Sequence, residues 1–294
     1  MRIGSFELLE PLPRLRRTHA IVTLKPWVDV GGSASLALES LEKHLKAQDL
    51  GSLASPGAYF DFTQYRPRTQ QVDGRRKTMV PNVNVRFATG PDDIDFLFLH
   101  LLEPHAMAEE YIESVVALLQ HMEVQRYCRI GSMWSDVPHT RPLPVMASIN
   151  GEDIKGLPGV VSMQRSPYRG RTSIMNMVGD KISEMGIENA NVTVRLPAYA
   201  RLEEDHTGKT RLLSVLCSLY NLPEEISSDD TGQDQYQQIS AEMEQNPELM
   251  ALVKQLEGVY DAWMEDSSQQ PPPSSVPPAF EKFFNEMEEQ SHGS

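Results

Sequence analysis

Two imidazoles and a carboxylate fall within six residues at His100-Leu101-Leu102-Glu103-Pro104-His105. Side chains of these types could ligate a metal ion or transfer protons. Ligation is disfavoured locally: alternation along a strand sets His100 and Leu102 on one face, and Pro104 blocks the i, i+4 helical pairing that joins two zinc ligands. No metal site is expected. Glu103 and His105 still stand at the carboxyl end of a buried strand, and Asp29, His139 and Arg141 stand at equivalent ends of others. Together the five outline a crevice for a small anionic or nucleotide-like ligand, or for acid-base chemistry. The plainer reading is that they satisfy loop backbones or line a subunit contact.

Three further motifs carry less. Thr207-Gly208-Lys209-Thr210 is shaped like the end of a phosphate-binding loop, but Glu203 occupies the place of the glycine needed five positions earlier, so Lys209 and Arg211 read as residues of a first helical turn. Gly31-Gly32-Ser33 joins a strand to a helix without the G-x-G-x-x-G spacing, and reads as a tight turn with Ser33 as the helix cap. Gly131-Ser132-Met133 lacks the second glycine of a nucleophile elbow. No catalytic residue and no cofactor is assigned.

The elements that must position these groups are organised around Asp95 to Met133. Phe96 to Leu102 is apolar on both alternating faces, as in a strand buried on both sides of a parallel sheet. Met107, Tyr111, Val115, Leu118 and Met122 then recur at spacings of three and four, and Cys128 to Ser132 returns as a strand. The three form a β-α-β unit, with a right-handed crossover expected. His19 to Leu24 reads as an earlier buried strand, and Ala34, Leu38, Leu41 and Leu45 as one helix face. Tyr59 to Phe62 reads as a short strand. Asp73-Gly74 signals a two-residue hairpin, followed by a strand at Val83 to Phe87, which places an antiparallel segment near a sheet edge. Ile174 to Met185 is a second amphipathic helix that Gly186 can end, and Val192 to Leu196 a strand stopped by Pro197. Leu212 to Tyr220 reads as a further helix, and Asn246-Pro247-Glu248 opens another.

Composition bounds what such a fold does. The 294 residues are 40% hydrophobic, enough for one large α/β domain. A formal net charge of -14 argues against nucleic acid and acidic partners generally, and much of it lies after residue 223. Local basic patches such as Arg75-Arg76-Lys77 remain, read as a solvated hairpin strand. Only Cys128 and Cys217 are present, so no disulfide framework is indicated and a reducing, cytoplasmic setting is expected. No export signal or membrane span is expected either.

As a set, several segments carry a family resemblance. They are Pro26-Trp27-Val28-Asp29-Val30-Gly31, Phe60-Asp61-Phe62-Thr63 with Tyr65-Arg66-Pro67, and Phe96 to His105. Ile130-Gly131-Ser132-Met133, Pro138-His139-Thr140-Arg141-Pro142 and Leu196-Pro197-Ala198-Tyr199 complete the set. With these the chain resembles the proteasome assembly chaperone 2 family in its bacterial branch. The resemblance implies a three-layer α/β/α sandwich with a mixed, mainly parallel sheet, similar to the purine nucleoside phosphorylase fold. It also implies a non-enzymatic assembly chaperone-like or scaffold protein, a homo-oligomer, commonly a trimer, and a proteasome-like protein partner. The alternative is an enzyme or binding protein for a small anion at the crevice.

The expected organisation is an α/β/α core over residues 1–222, a helical extension over 223–265, a Pro/Ser-rich linker over 266–279 and a short acidic amphipathic tail over 280–294. In that tail Phe280, Phe283, Phe284 and Met287 would share one helix face and dock on a surface, while Glu281, Glu286, Glu288 and Glu289 stay wet.

Overall fold

The structure, a computed structural model, describes residues 1–72, 74–154, 156–157, 159–161 and 172–265. The linker and tail, with Phe280, Phe283, Phe284 and Met287, lie outside the described residues. The strands are β1 (Arg2–Ile3), β2 (Phe6–Leu8), β3 (His19–Lys25), β4 (Gln48–Leu53), β5 (Arg68–Val72), β6 (Arg75–Met79), β7 (Asn84–Thr89), β8 (Asp95–Leu102), β9 (Arg126–Ser135), β10 (Val145–Ile149), β11 (Glu152–Asp153) and β12 (Glu188–Pro197). The helices are α1 (Ser33–His44), α2 (Ala108–His121), α3 (Ile174–Glu184), α4 (His206–Tyr220), α5 (Thr231–Met243) and α6 (Pro247–Glu265).

Ten strands form one sheet in the order β1-β2-β4-β7-β8-β3-β9-β12-β10-β11. The centre, β8-β3-β9-β12, is parallel, and both wings are antiparallel. The double-sided apolar runs at His19 to Leu24 and Phe96 to Leu102 occupy that centre because only there are both faces covered. One face packs Ala20, Val22, Leu97, Leu99 and Leu101 against α2 and α3, with Tyr111, Val115, Val178 and Ile182. The other packs Ile21, Phe96, Phe98, Ile130, Val192 and Val194 against α1 and α4. The sandwich has three layers, as the periodicities require.

The expected β8-α2-β9 unit is present, with its two strands parallel on either side of β3. Three local expectations are corrected. Tyr59 to Phe62 is a turn: a single 3-10 turn at Pro56–Ala58 directs Tyr59 N and Phe60 N onto Pro56 O, and the paired strand falls earlier, at β4. Ser33 does not cap α1, because its Oγ donates to Asp205 O instead. The β5–β6 hairpin is a separate two-stranded ribbon, while β7 is interior between β4 and β8. Every residue of β6 is exposed. The hairpin lacks the alternating apolar face that would hold it on the sheet.

The extension packs on the core as a continuation of it. Tyr236, Tyr260 and Trp263 join the α1–α4 side, and Tyr199 of the core is buried among Met243, Leu249 and Val253. Asn246 Oδ1 accepts from Glu248 N and Leu249 N, the cap expected at the start of α6. No helix among the described residues is long and apolar enough to cross a membrane.

Candidate functional site

Each of the five crevice residues has a different set of neighbours, and none hydrogen-bonds to another among the described residues. Asp29 follows β3 and is buried. Its Oδ1 accepts from Ala34 N at 2.9 Å and Ser35 N at 3.2 Å, and its Oδ2 from Ser35 Oγ at 2.6 Å. It is the anionic cap of α1, where the helix dipole favours it. Glu103 lies against the start of α3, where the Ile174 N–H favours its charged form. Burial raises its pKa, and its Oε2 is enclosed without a partner. His105 is exposed: its Nδ1 accepts from Asp61 N at 3.2 Å, and its ring meets the Tyr65 ring edge-on at 4.6 Å.

His139 and Arg141 belong to another structure altogether. His139 N donates to Tyr199 Oη at 2.7 Å, so the phenol donates to His139 Nδ1 at 2.5 Å. That leaves the proton on Nε2, which donates to Ser240 Oγ of α5 at 2.9 Å, and Ser240 in turn donates to Tyr236 O. The chain is satisfied with a neutral imidazole. Burial agrees, holding the His139 pKa down at about 4. Arg141 makes a bidentate pair with Asp261 of α6, with both bonds at 2.9 Å, and a third bond to Glu257 at 3.0 Å. Bonding to Asp261 first, and the charge of Glu257, hold its pKa above the ordinary arginine value. The Pro-rich loop after β9 is thus a latch that holds α5 and α6 against the core, and Tyr260 Oη adds a 2.6 Å bond to Pro142 O.

The residue that sequence reasoning missed is Asp205, which is fully buried. Its Oδ1 accepts from Gly208 N at 2.7 Å, capping α4, and its Oδ2 from Tyr236 Oη of α5 at 2.8 Å. Its backbone N donates to Gly31 O at 2.7 Å, and its carbonyl accepts from Ser33 Oγ. Burial pushes its pKa up. Two helix starts and the extension meet at this one residue. The approach is close enough that a Cβ on Gly208 would collide with Ser33 Oγ, so the glycine of Thr207-Gly208-Lys209-Thr210 serves packing. Lys209 is ion-paired with Asp229, whose carboxyl it holds well below the usual range. The missed signal was an aspartate three residues before Gly208, a cap pattern overshadowed by the phosphate-loop likeness.

His100 lies on the α1 side, with Nε2 at 2.7 Å from Glu42 Oε1, and Arg86 takes the other Glu42 oxygen at 2.7 Å. That buried carboxylate is fully paired. No group of three or more His, Cys, Asp or Glu side chains among the described residues is placed to hold a metal ion.

Comparison with known proteins places this architecture. The sequence profile of the PAC2 family matches residues 23–245. A protein of unknown function from Corynebacterium glutamicum superposes with a TM-score of 0.77 at 22% identity, covering 89% of this chain and 98% of its own. A protein of unknown function from Mycobacterium tuberculosis gives 0.76 at 23%, covering 91% and 92%. A proteasome-assembly chaperone homologue from the same organism gives 0.66 at 20%, covering 80% and 99%. At these identities the likeness concerns the fold. No curated protein matches the chain.

Proposed function

The chain belongs to the PAC2 family, and from that premise we propose that it is a non-enzymatic, chaperone-like scaffold that works by binding other protein subunits. One observation carries the reading. The β5–β6 ribbon stands outside the ten-stranded sheet with Arg68, Arg75, Arg76 and Lys77 on it, and none of these makes an ion pair among the described residues. Met79 at the end of β6 and Val80 after it are 43% and 45% exposed. A lone two-stranded hairpin is marginal in water, so contact with another surface would stabilise it. Its charge selects an acidic surface.

The structural likeness to a proteasome-assembly chaperone homologue supports proteasome-type subunits as the partner class. The assembly proposed is a homotrimer in the cytoplasm, with the ribbon available to a partner. Affinity capture with the full chain, followed by mass spectrometry, should enrich ring-forming proteasome-type subunits. Enrichment of none of them in an organism that has them would contradict this partner. Light scattering should give three times the subunit mass of 33.1 kDa, and the mass of one subunit would contradict the trimer.

A further inference from the structure

The two faces of the sheet differ sharply over β9, β12 and β10. Toward α1 and α4 these strands present Cys128, Ile130, Val192, Val194, Leu196 and Val145, all buried. Toward α3 the alternate positions are Arg129, Asn189, Asn191, Thr193, Arg195 and Ser148. Interior strands of a sandwich covered on both faces are ordinarily apolar on both. Here one half-face is polar and carries two arginines.

Neither arginine has a carboxylate partner among the described residues. Arg129 Nη1 donates to Asn176 Oδ1 of α3, and its Nε is enclosed without an acceptor. Among the described residues Arg195 reaches only Met146 Sδ, at 3.6 Å, and its Nε is likewise enclosed without an acceptor. Burial alone acts on Arg195, lowering its pKa, with no anion to oppose it. Residues 154–172, which run from β11 to α3, contain no Asp or Glu, so that stretch cannot supply a counter-carboxylate. Both side chains are half-buried, and a guanidinium with an enclosed, unpaired Nε gains from an anion brought from outside.

Arg129 borders a hollow of about 470 Å³ between the β10–β11 turn and the end of α3, lined also by Ser148, Asn150, Ser183, Ile187 and Asn189. That size suits a small metabolite. Opposite the arginine the hollow needs donors rather than charge. Asn189 Oδ1 is enclosed there without a donor, while Asn189 Nδ2 is engaged with Ser183 Oγ at 3.3 Å. The carbonyl end of the α3 dipole points the same way and also favours donors.

We infer that this hollow is a binding site for a small hydroxylated oxyanion, its phosphate or carboxylate group on the Arg129 guanidinium and a hydroxyl on the Asn189 amide. The site is separate from the ribbon and from the latch residues His139 and Arg141, so it stands or falls independently of the scaffold reading. It forms no covalent bond with its ligand. Its specificity lies in the pairing of one donor of positive charge with one neutral acceptor.

The test is a titration of the full-length, 15N-labelled protein, following the Arg129 Nε–H resonance by NMR. Four probes separate the contributions: glycerol 3-phosphate, glycerate, inorganic phosphate and glycerol. Glycerol 3-phosphate or glycerate should shift the resonance saturably and bind more tightly than inorganic phosphate, and glycerol alone should not bind. Whichever of the two binds more tightly identifies the oxyanion. Arg129→Gln should weaken that binding by about tenfold or more, the loss typical of a hydrogen bond to a charged group, and Asn189→Leu should remove the preference over inorganic phosphate. An unmoved Arg129 Nε–H signal, or equal binding by Arg129→Gln, overturns the site. The wild-type resonance decides the matter even if a variant fails to fold.

Discussion

The helical extension and the β5–β6 ribbon are both excursions from the sheet and both carry dense charge of one sign, yet they use it in opposite ways. Residues 223–265 hold eleven acidic side chains against one lysine. The acids that face the core are paired there: Glu257 and Asp261 with Arg141, Asp229 with Lys209. Beneath them Tyr236, Tyr260 and Trp263 are buried. The ribbon has neither feature, since its cations make no ion pair among the described residues and β6 is exposed throughout. Charge with an internal partner holds a fold together, and charge without one is directed outward. By that criterion His139 and Arg141 belong to the architecture, and Arg75, Arg76 and Lys77 to the surface that meets other molecules.

The largest effect should come from the point where the extension meets two helix starts. Asp205→Ala leaves Gly208 N and Tyr236 Oη buried without their acceptor and should cost roughly 2 to 4 kcal/mol in urea unfolding. A loss no greater than that of an exposed substitution would remove Asp205 from its place in the account. Next comes the latch. His139→Ala combined with Arg141→Ala should speed hydrogen exchange in α5 and α6 several-fold and redden the fluorescence of Trp263, with exchange in β3 and β8 unchanged. Equal acceleration in those central strands would mean the extension is not a separable layer.

How much of this was legible in the sequence follows from which signals are local. The central strands were readable because burial on both faces leaves uninterrupted runs such as Phe96 to Leu102. Helices α2, α3 and α6 were readable from spacing and caps. The two- and three-residue strands β1 and β2 show no period to detect, and β10 follows directly on a Pro-rich loop. At the site, Glu103 directly follows β8 and Asp29 lies in the loop after β3, but the sequence could not show that each faces a helix N-terminus. His139 and Arg141 could not be recognised as a latch, because their partners Ser240, Glu257 and Asp261 lie about a hundred residues or more away in the chain. Long-range pairing leaves no mark on local pattern.

A smaller effect should appear with pH. Burial holds His139 at about 4, below its ordinary value of 6.5, so the unfolded chain binds the proton first as pH falls. The stability tied to a neutral His139 is therefore complete above pH 6.5 and declines as pH drops toward 4. Urea unfolding at pH 7.5 and 4.5 should show a steeper decline in wild type than in His139→Asn, which keeps an acceptor for Tyr199 but does not titrate. Parallel declines would show that His139 is not the group responsible. Smallest of all should be the effect of the ribbon on stability. Reversing Arg75, Arg76 and Lys77 to Glu should change unfolding by no more than about 0.5 kcal/mol per site, as for exposed positions without partners.

The contrast between latch and ribbon is tested most directly by quantitative affinity capture with three full-length baits: wild type, the Arg75→Glu, Arg76→Glu, Lys77→Glu variant, and the His139→Ala, Arg141→Ala variant. The account predicts that the ribbon variant, folded as well as wild type, loses the partner subunits, while the latch variant retains them despite a loosened extension. Retention by the ribbon variant together with loss by the latch variant would contradict it.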